Sequence, residues 1–152
     1  MLVNWLNTEP KMTVNEGRYL MLIYRKEREE LSHVRTMDLA RSFGVQPATV
    51  TEMLQKLAER SLLKYTRYRG VKLTEKGVAI AQRLLRKHRL LEVLFVNTLN
   101  YNVQDACNEA SKLDHHASEN LVNNICRTYG HPEICPCNKT IFGDGECGRE
   151  SH

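Results

Sequence analysis

The chain has 152 residues, with 22 Lys+Arg against 18 Asp+Glu and a formal net charge of +4. That length suits one medium domain or two small ones sharing a core. With no apolar run of about 18 residues and no basic-then-apolar leader, neither a membrane span nor a secretory signal is expected. A cytoplasmic location is expected, where the five cysteines at 107, 126, 135, 137 and 147 stand as free thiols or metal ligands rather than as a disulfide framework. Residues 1–73 carry 13 Lys+Arg against 8 Asp+Glu, whereas residues 74–152 carry 9 against 10. A polyanion-binding module joined to a neutral one would show this asymmetry.

In chain order, "TVNEGRYLMLIYRKERE" opens with Thr13 and Glu16 at capping-box spacing and continues with Tyr19, Leu20, Leu22 and Ile23 on one face, predicting a helix over 13–28. "TMDLARSFGV" predicts a short second helix with Thr36 as its N-cap, Leu39, Ala40 and Phe43 inward and Gly44 as its left-handed stop. Pro47 then sits in the first turn of a third helix whose buried stripe is Val50, Met53, Leu54 and Leu57. Helix, Gly-containing turn, helix is the helix-turn-helix unit. "LLKYTRYRGVKLT" follows it as two short strands, about 62–66 and 71–73, which makes the unit a winged helix. Thr74 caps a long helix over 75–97, with Ala79, Ile80, Leu84, Leu91, Leu94 and Phe95 on its apolar side, and helices over 103–116 and 118–129 follow.

The expected fold is mostly α: a winged helix-turn-helix over 1–73, an α-helical dimerisation domain over 74–142, and a disordered tail over 143–152. Apolar helix faces beyond a small winged-helix core predict a homodimer. The first residues of the second helix of such a unit meet base edges in the major groove. Gln46 is expected to pair with adenine, the apolar surfaces of Pro47, Ala48 and Thr49 suit thymine methyls, Gln55 and Lys56 follow one turn on, and Thr51 and Lys56 are placed for phosphates. Thr36 of the bracing helix and Arg67, Arg69 and Lys72 of the wing complete the surface expected on double-stranded DNA.

His88 and Glu92 stand i, i+4, and Cys107, Ser111, Asp114 and His115 form one stripe on the next helix. Two such stripes facing each other bring together donors for a first-row transition metal. His116 lies about 100° further round and is expected on the surface. A further group, Cys126, His131, Cys135 and Cys137, offers four soft donors in "CRTYGHPEICPC", although C-x-C is not the usual zinc spacing.

The order of helix, helix-turn-helix, wing "YRGVKLTEKG", "RKHRLLE" and a later acid-His pair resembles the diphtheria toxin repressor and manganese transport regulator family of metal-dependent repressors, over about residues 13–142. The resemblance implies metal-controlled DNA binding, with His88 and Glu92 in the family's H-x-x-x-E positions and Asp114-His115 in place of its E-H pair. It also departs from the pattern. Ser111 stands where relatives have Cys or Glu, Cys107 where iron-type relatives have His, and Arg18 where a first-helix Met or Asp ligates. Two readings of Arg18 stay open: an ion pair with Asp114 that substitutes for a cation, or a reshuffled ligand set that recruits Met21. Fe(II) is the expected metal because thiols suit it better than Mn(II), with Mn(II) or Zn(II) as alternatives. No Gly-rich phosphate loop or nucleophile motif is visible, so an enzyme is not expected.

Overall fold

The computed structural model describes residues 11–143 and Cys147. Thr13 and Glu16 form the expected capping box and start helix α1, Val14–Tyr24. The helix does not continue regularly to 28: its backbone widens into a π-helical turn, Arg25–Glu29. "RKERE" has no apolar stripe to keep a regular helix seated, and its acids look elsewhere. Glu27 accepts the Leu73 amide at 2.9 Å, and Glu29 pairs with Arg89 at 2.5 Å.

Helix α2 spans Thr36–Phe43 and helix α3 spans Pro47–Glu59, with Gly44 between them at φ 64, the left-handed stop that its sequence position predicts. Thr36, expected as the N-cap of α2, is its first helical residue instead. Arg35 is the cap, because the Asp38 carboxylate accepts the Arg35 amide. Strands β1, Leu63–Thr66, and β2, Gly70–Leu73, pair antiparallel with Leu63 opposite Leu73 and Thr66 opposite Gly70. Val34 bridges Val71 from the outer side and anchors the wing to the loop before α2.

Helix α4, Glu75–Leu99, is one continuous element serving two cores. Its first half gives Ala81 and Leu85 to a core built from Leu20, Ile23, Leu39, Val50, Leu54 and Leu57. Its second half gives Leu90, Val93 and Phe95 to a core shared with helix α5, Val103–Leu113, and helix α6, Glu119–Thr128. Ala79, expected inward, is exposed; the buried stripe of this turn passes through Ala81. Residues 134–140 close into a small turn bridged by Ile134 and Thr140. This tail turn precedes the segment expected to be disordered. Most of the expected disordered segment 143–152 lies outside the described residues, but Cys147 is described and buried. Among the described residues, no helix is long and apolar enough to cross a membrane.

The junction between wing and α4 is tight at Gly77, where a β-carbon would lie 1.9 Å from the Leu62 carbonyl oxygen. Backbone on both sides leaves nothing to rotate away. Gly77→Ala is expected to destabilise the chain by about 3 kcal/mol or more, at the upper end of overpacking costs, as a lowered midpoint in urea unfolding. An unchanged midpoint would contradict that contact.

Candidate metal centre and nucleic-acid interface

His88 and Glu92 lie on α4 where the two cores meet, one turn apart on the face turned toward α5 and the tail turn. Both are about 2% exposed or less. His88 Nε2 lies 2.6 Å from a Glu92 carboxylate oxygen and 3.5 Å from Cys107 Sγ of α5. One donor atom each from His88, Glu92 and Cys107 falls within 4.8 Å of the others. The tail turn adds more: Glu92, Cys135 and Cys137 form a second such group sharing the same carboxylate. The Cys135 amide bonded to the Lys139 carbonyl, and the Asn138 amide to the Cys135 carbonyl, fold the turn that brings these thiols in.

Asp114 meets His88, as the facing stripes suggest, but on the other side of the ring from Glu92 and Cys107. Its carboxylate is buried, with one oxygen 3.0 Å from His88 Nδ1 and the other on His115 Nδ1. It thus holds the ring nitrogen of His88 that faces away from Glu92 and Cys107, the arrangement in which an outer carboxylate orients a ligating imidazole. The expected Arg18–Asp114 ion pair is not formed. Both residues border one cleft with Met21, His88 and Ser111, but Arg18 is exposed and two imidazoles satisfy the carboxylate. The Ser111 hydroxyl is donated to the Cys107 carbonyl within its own helix. His116 is exposed, as expected.

Burial disfavours a charge on His88, yet hydrogen bonds with Asp114, Cys107 and Glu92 outweigh it and push the imidazole pKa up to about 10. Burial likewise opposes ionisation of Glu92 and Asp114, but their histidine partners hold both carboxyls below the usual range. Burial first, and the Glu92 carboxylate second, pushes the Cys137 thiol up to about 12, and burial raises Cys135. The metal-free group is thus a proton-bridged cluster of donors. It fits a divalent cation: Glu92 Oε2 is buried without a hydrogen-bond partner, and imidazole, carboxylate and thiols converge around it.

The four soft donors of the tail do not form one group. Cys135 and Cys137 turn to Glu92, while Cys126 and His131 meet Cys147. Cys147 was not expected to take part, and its only sequence signal was being the fifth, unassigned cysteine.

The cluster is tied to the other half of the chain. Arg89, one residue beyond His88 and 1% exposed, pairs with Glu29 of the π-turn through one nitrogen and donates to the Thr140 carbonyl of the tail turn through another, at 2.7 Å. Phe142 meets Tyr24 edge-on, with ring centres 5.7 Å apart.

On the opposite side, α3 presents Gln46, Ala48, Thr49, Glu52 and Gln55 exposed and Pro47 and Thr51 half-buried. A groove of about 770 Å³ between α3 and the wing is lined by Thr51, Gln55, Ala58, Glu59, Tyr65 and Arg67. Arg67, Arg69 and Lys72 are exposed, with the Arg67 guanidinium 5.3 Å from the ring centre of Tyr68 at the wing tip. Thr51 donates its hydroxyl to the Pro47 carbonyl, and Lys56 pairs with buried Glu16 at 2.8 Å. Lys56 thus also braces α3 against α1, with its side chain still exposed.

Residues 11–71 match the family described as "Iron dependent repressor, N-terminal DNA binding domain", and residues 74–143 match "Iron dependent repressor, metal binding and dimerisation domain". The chain is 36% identical to the HTH-type transcriptional regulator MntR of Bacillus subtilis over 118 residues, which is 78% of this chain and 79% of that protein. The chain belongs to the diphtheria toxin repressor and manganese regulator family of metal-dependent repressors. Another member, MntR of Geobacillus thermodenitrificans, is 38% identical over 64% of this chain and 68% of its own length. Among solved members, "Manganese-dependent transcriptional repressor complex with manganese" superposes with a TM-score of 0.79 at 33% identity over 86% of this chain and 59% of that one. "Structure of the manganese regulator SloR" gives a TM-score of 0.76 at 34% identity, covering 89% and 62%. The chain spans about three fifths of the length of these two solved members.

Proposed function

We propose that the chain is a metal-activated, DNA-binding transcriptional repressor that works as a homodimer and controls metal homeostasis. The observation that carries this reading is the convergence of His88, Glu92 and Cys107, with Cys135 and Cys137 beside them, on the helix shared by both halves. A bound divalent cation supplies positive charge in place of the protons that His88 and the thiols otherwise hold. His88, Glu92 and Cys107 would hold it, and Asp114 would orient the His88 ring. Cys135 and Cys137 would draw the tail turn toward Glu92.

Arg89 carries that ordering to the reading head. It binds the tail turn at Thr140 and the π-turn at Glu29, while Glu27 of the same π-turn holds the amide of Leu73, the last residue of β2. Fixing the tail turn therefore biases α1 and the wing toward one orientation, and a cation helps DNA binding only as far as it prefers that orientation. In a dimer the two α3 helices would then stand one turn of DNA apart. Exposed Leu99, Tyr101, Val103, Leu113 and Leu121 in the second half support self-association through α5 and α6.

The thiolate share of the donor set favours Fe(II) over Mn(II), which prefers oxygen and nitrogen. The manganese reading draws on the names of the relatives and on the cleft bordered by Met21, Ser111 and Asp114 as a second site. The test is fluorescence anisotropy, without oxygen, on a duplex selected from a random pool, with chelator, Fe(II) or Mn(II). Fe(II) is expected to tighten binding by about 5- to 150-fold over chelator, and more than Mn(II) does. Equal affinity in all three would overturn metal control, and a larger effect of Mn(II) would overturn the choice of iron.

A further inference from the structure

Helix α6 ends in a way that places a nitrogen beside a thiol. Gly130 and His131 both take left-handed backbone conformations, with φ 71 and 55, and the His131 amide returns to the Cys126 carbonyl at 2.7 Å. The chain thereby doubles back, and His131 Nδ1 lies 3.4 Å from Cys126 Sγ. Cys147 reaches the same point from the C-terminal segment, with its sulfur 3.7 Å from that of Cys126. Both thiols are at most 2% exposed, and His131 is half-buried at the rim.

These separations are those of ligands around a tetrahedral ion. Zinc–sulfur bonds of about 2.3 Å and zinc–nitrogen bonds of about 2.0–2.1 Å give tetrahedral edges of roughly 3.8 Å between two sulfurs and roughly 3.6 Å between sulfur and nitrogen. All three donor atoms fall within 4.8 Å of one another. The donor groups around Glu92 share no residue with this one. Two thiolates and an imidazole are a soft set, chosen by zinc-class ions over Mn(II) or Mg(II).

We infer that Cys126, His131 and Cys147 form a separate zinc-class metal site that staples the C-terminal segment to the end of α6. Its role is structural: it joins residue 147 to the core shared by α4, α5 and α6, independently of the centre that governs DNA binding. The described residues supply three of the four corners that a tetrahedral ion takes. Because ligation requires thiolates, binding releases protons and is lost to a chelator.

The test is Zn(II) stoichiometry of the full, reduced chain against a chromophoric chelator under nitrogen, comparing wild type with Cys147→Ser and His131→Asn. Asn accepts the left-handed backbone that residue 131 adopts, so His131→Asn removes the ligand without straining the turn, and circular dichroism checks the fold. Each variant is expected to bind one Zn(II) fewer per chain than wild type, to lose part of the thiolate-to-metal absorption of the Co(II) form, and to keep the metal response of DNA binding. Zinc counts equal to wild type in both variants would overturn the site. So would an intact mass showing Cys126 and Cys147 joined as a disulfide under the same reducing conditions. A DNA affinity that ignores metal would refute the proposed repressor while leaving the zinc count untouched, so the two failures are distinguishable.

Discussion

His88→Ala is expected to raise the Fe(II) concentration needed for half-maximal DNA binding by at least about 100-fold, the upper end of what even an outer-shell loss costs, while leaving DNA binding under chelator unchanged. Among the described residues, His88 touches Glu92, Cys107 and Asp114 at once, so its removal dissolves the group instead of trimming it. Asp114→Asn keeps the shape but loses the charge that orients the ring, and a 10- to 100-fold loss is expected. The pH dependence follows with a definite sign. In the metal-free protein His88 keeps its proton up to a pKa of about 10 and Cys137 up to about 12, whereas a ligating imidazole or thiol must give that proton up. Raising the pH below those values therefore favours the metal-bound form, by about tenfold per pH unit for each proton released. Calorimetry in buffers of different ionisation enthalpy, between about pH 6 and pH 8, counts the protons. An affinity independent of pH, or full Fe(II) activation of His88→Ala, would remove this cluster from the mechanism.

The second large effect concerns the wing. Arg67→Ala combined with Arg69→Ala is expected to weaken binding to every duplex and to flatten the dependence of log K on log salt. Each phosphate contact contributes about 0.9 to that slope, so four lost contacts in a dimer reduce it by close to four. Both side chains are exposed at the wing, and Arg67 also borders the groove beside α3. Preference among sequences should survive, because the base contacts proposed for Gln46, Ala48 and Thr49 at the start of α3 are untouched. An unchanged salt slope would mean that the wing does not lie along the phosphate backbone.

The local fold was legible because its signals are local. A capping box at Thr13, a left-handed stop at Gly44, a proline at the start of α3 and alternating residues around the wing each act within a few residues, where backbone sterics and hydrogen bonding decide the outcome. The places where this reading missed are places where a distant partner intervened. The π-turn at 25–29 exists because Glu27 and Glu29 answer Leu73 and Arg89, which lie 46 and 60 residues away. The pairing of Lys56 with Glu16, on a helix far back in sequence, is a contact of the same distant kind.

The candidate site divides the same way. Helical spacing placed His88 with Glu92 on one face, and the i, i+4 rule needs no knowledge of the rest of the chain. Spacing alone could not say that Asp114 turns to the far nitrogen of His88, leaving Arg18 in solvent, because two imidazoles rather than a guanidinium reach that carboxylate in three dimensions. Nor could it sort the cysteines. Composition determined that five thiols were present, but only the doubling back of the chain at His131 and the turn at 135–140 decided which met Glu92 and which met Cys147. Sulfur and nitrogen donors select partners by distance, and distance across loops belongs to the tertiary structure.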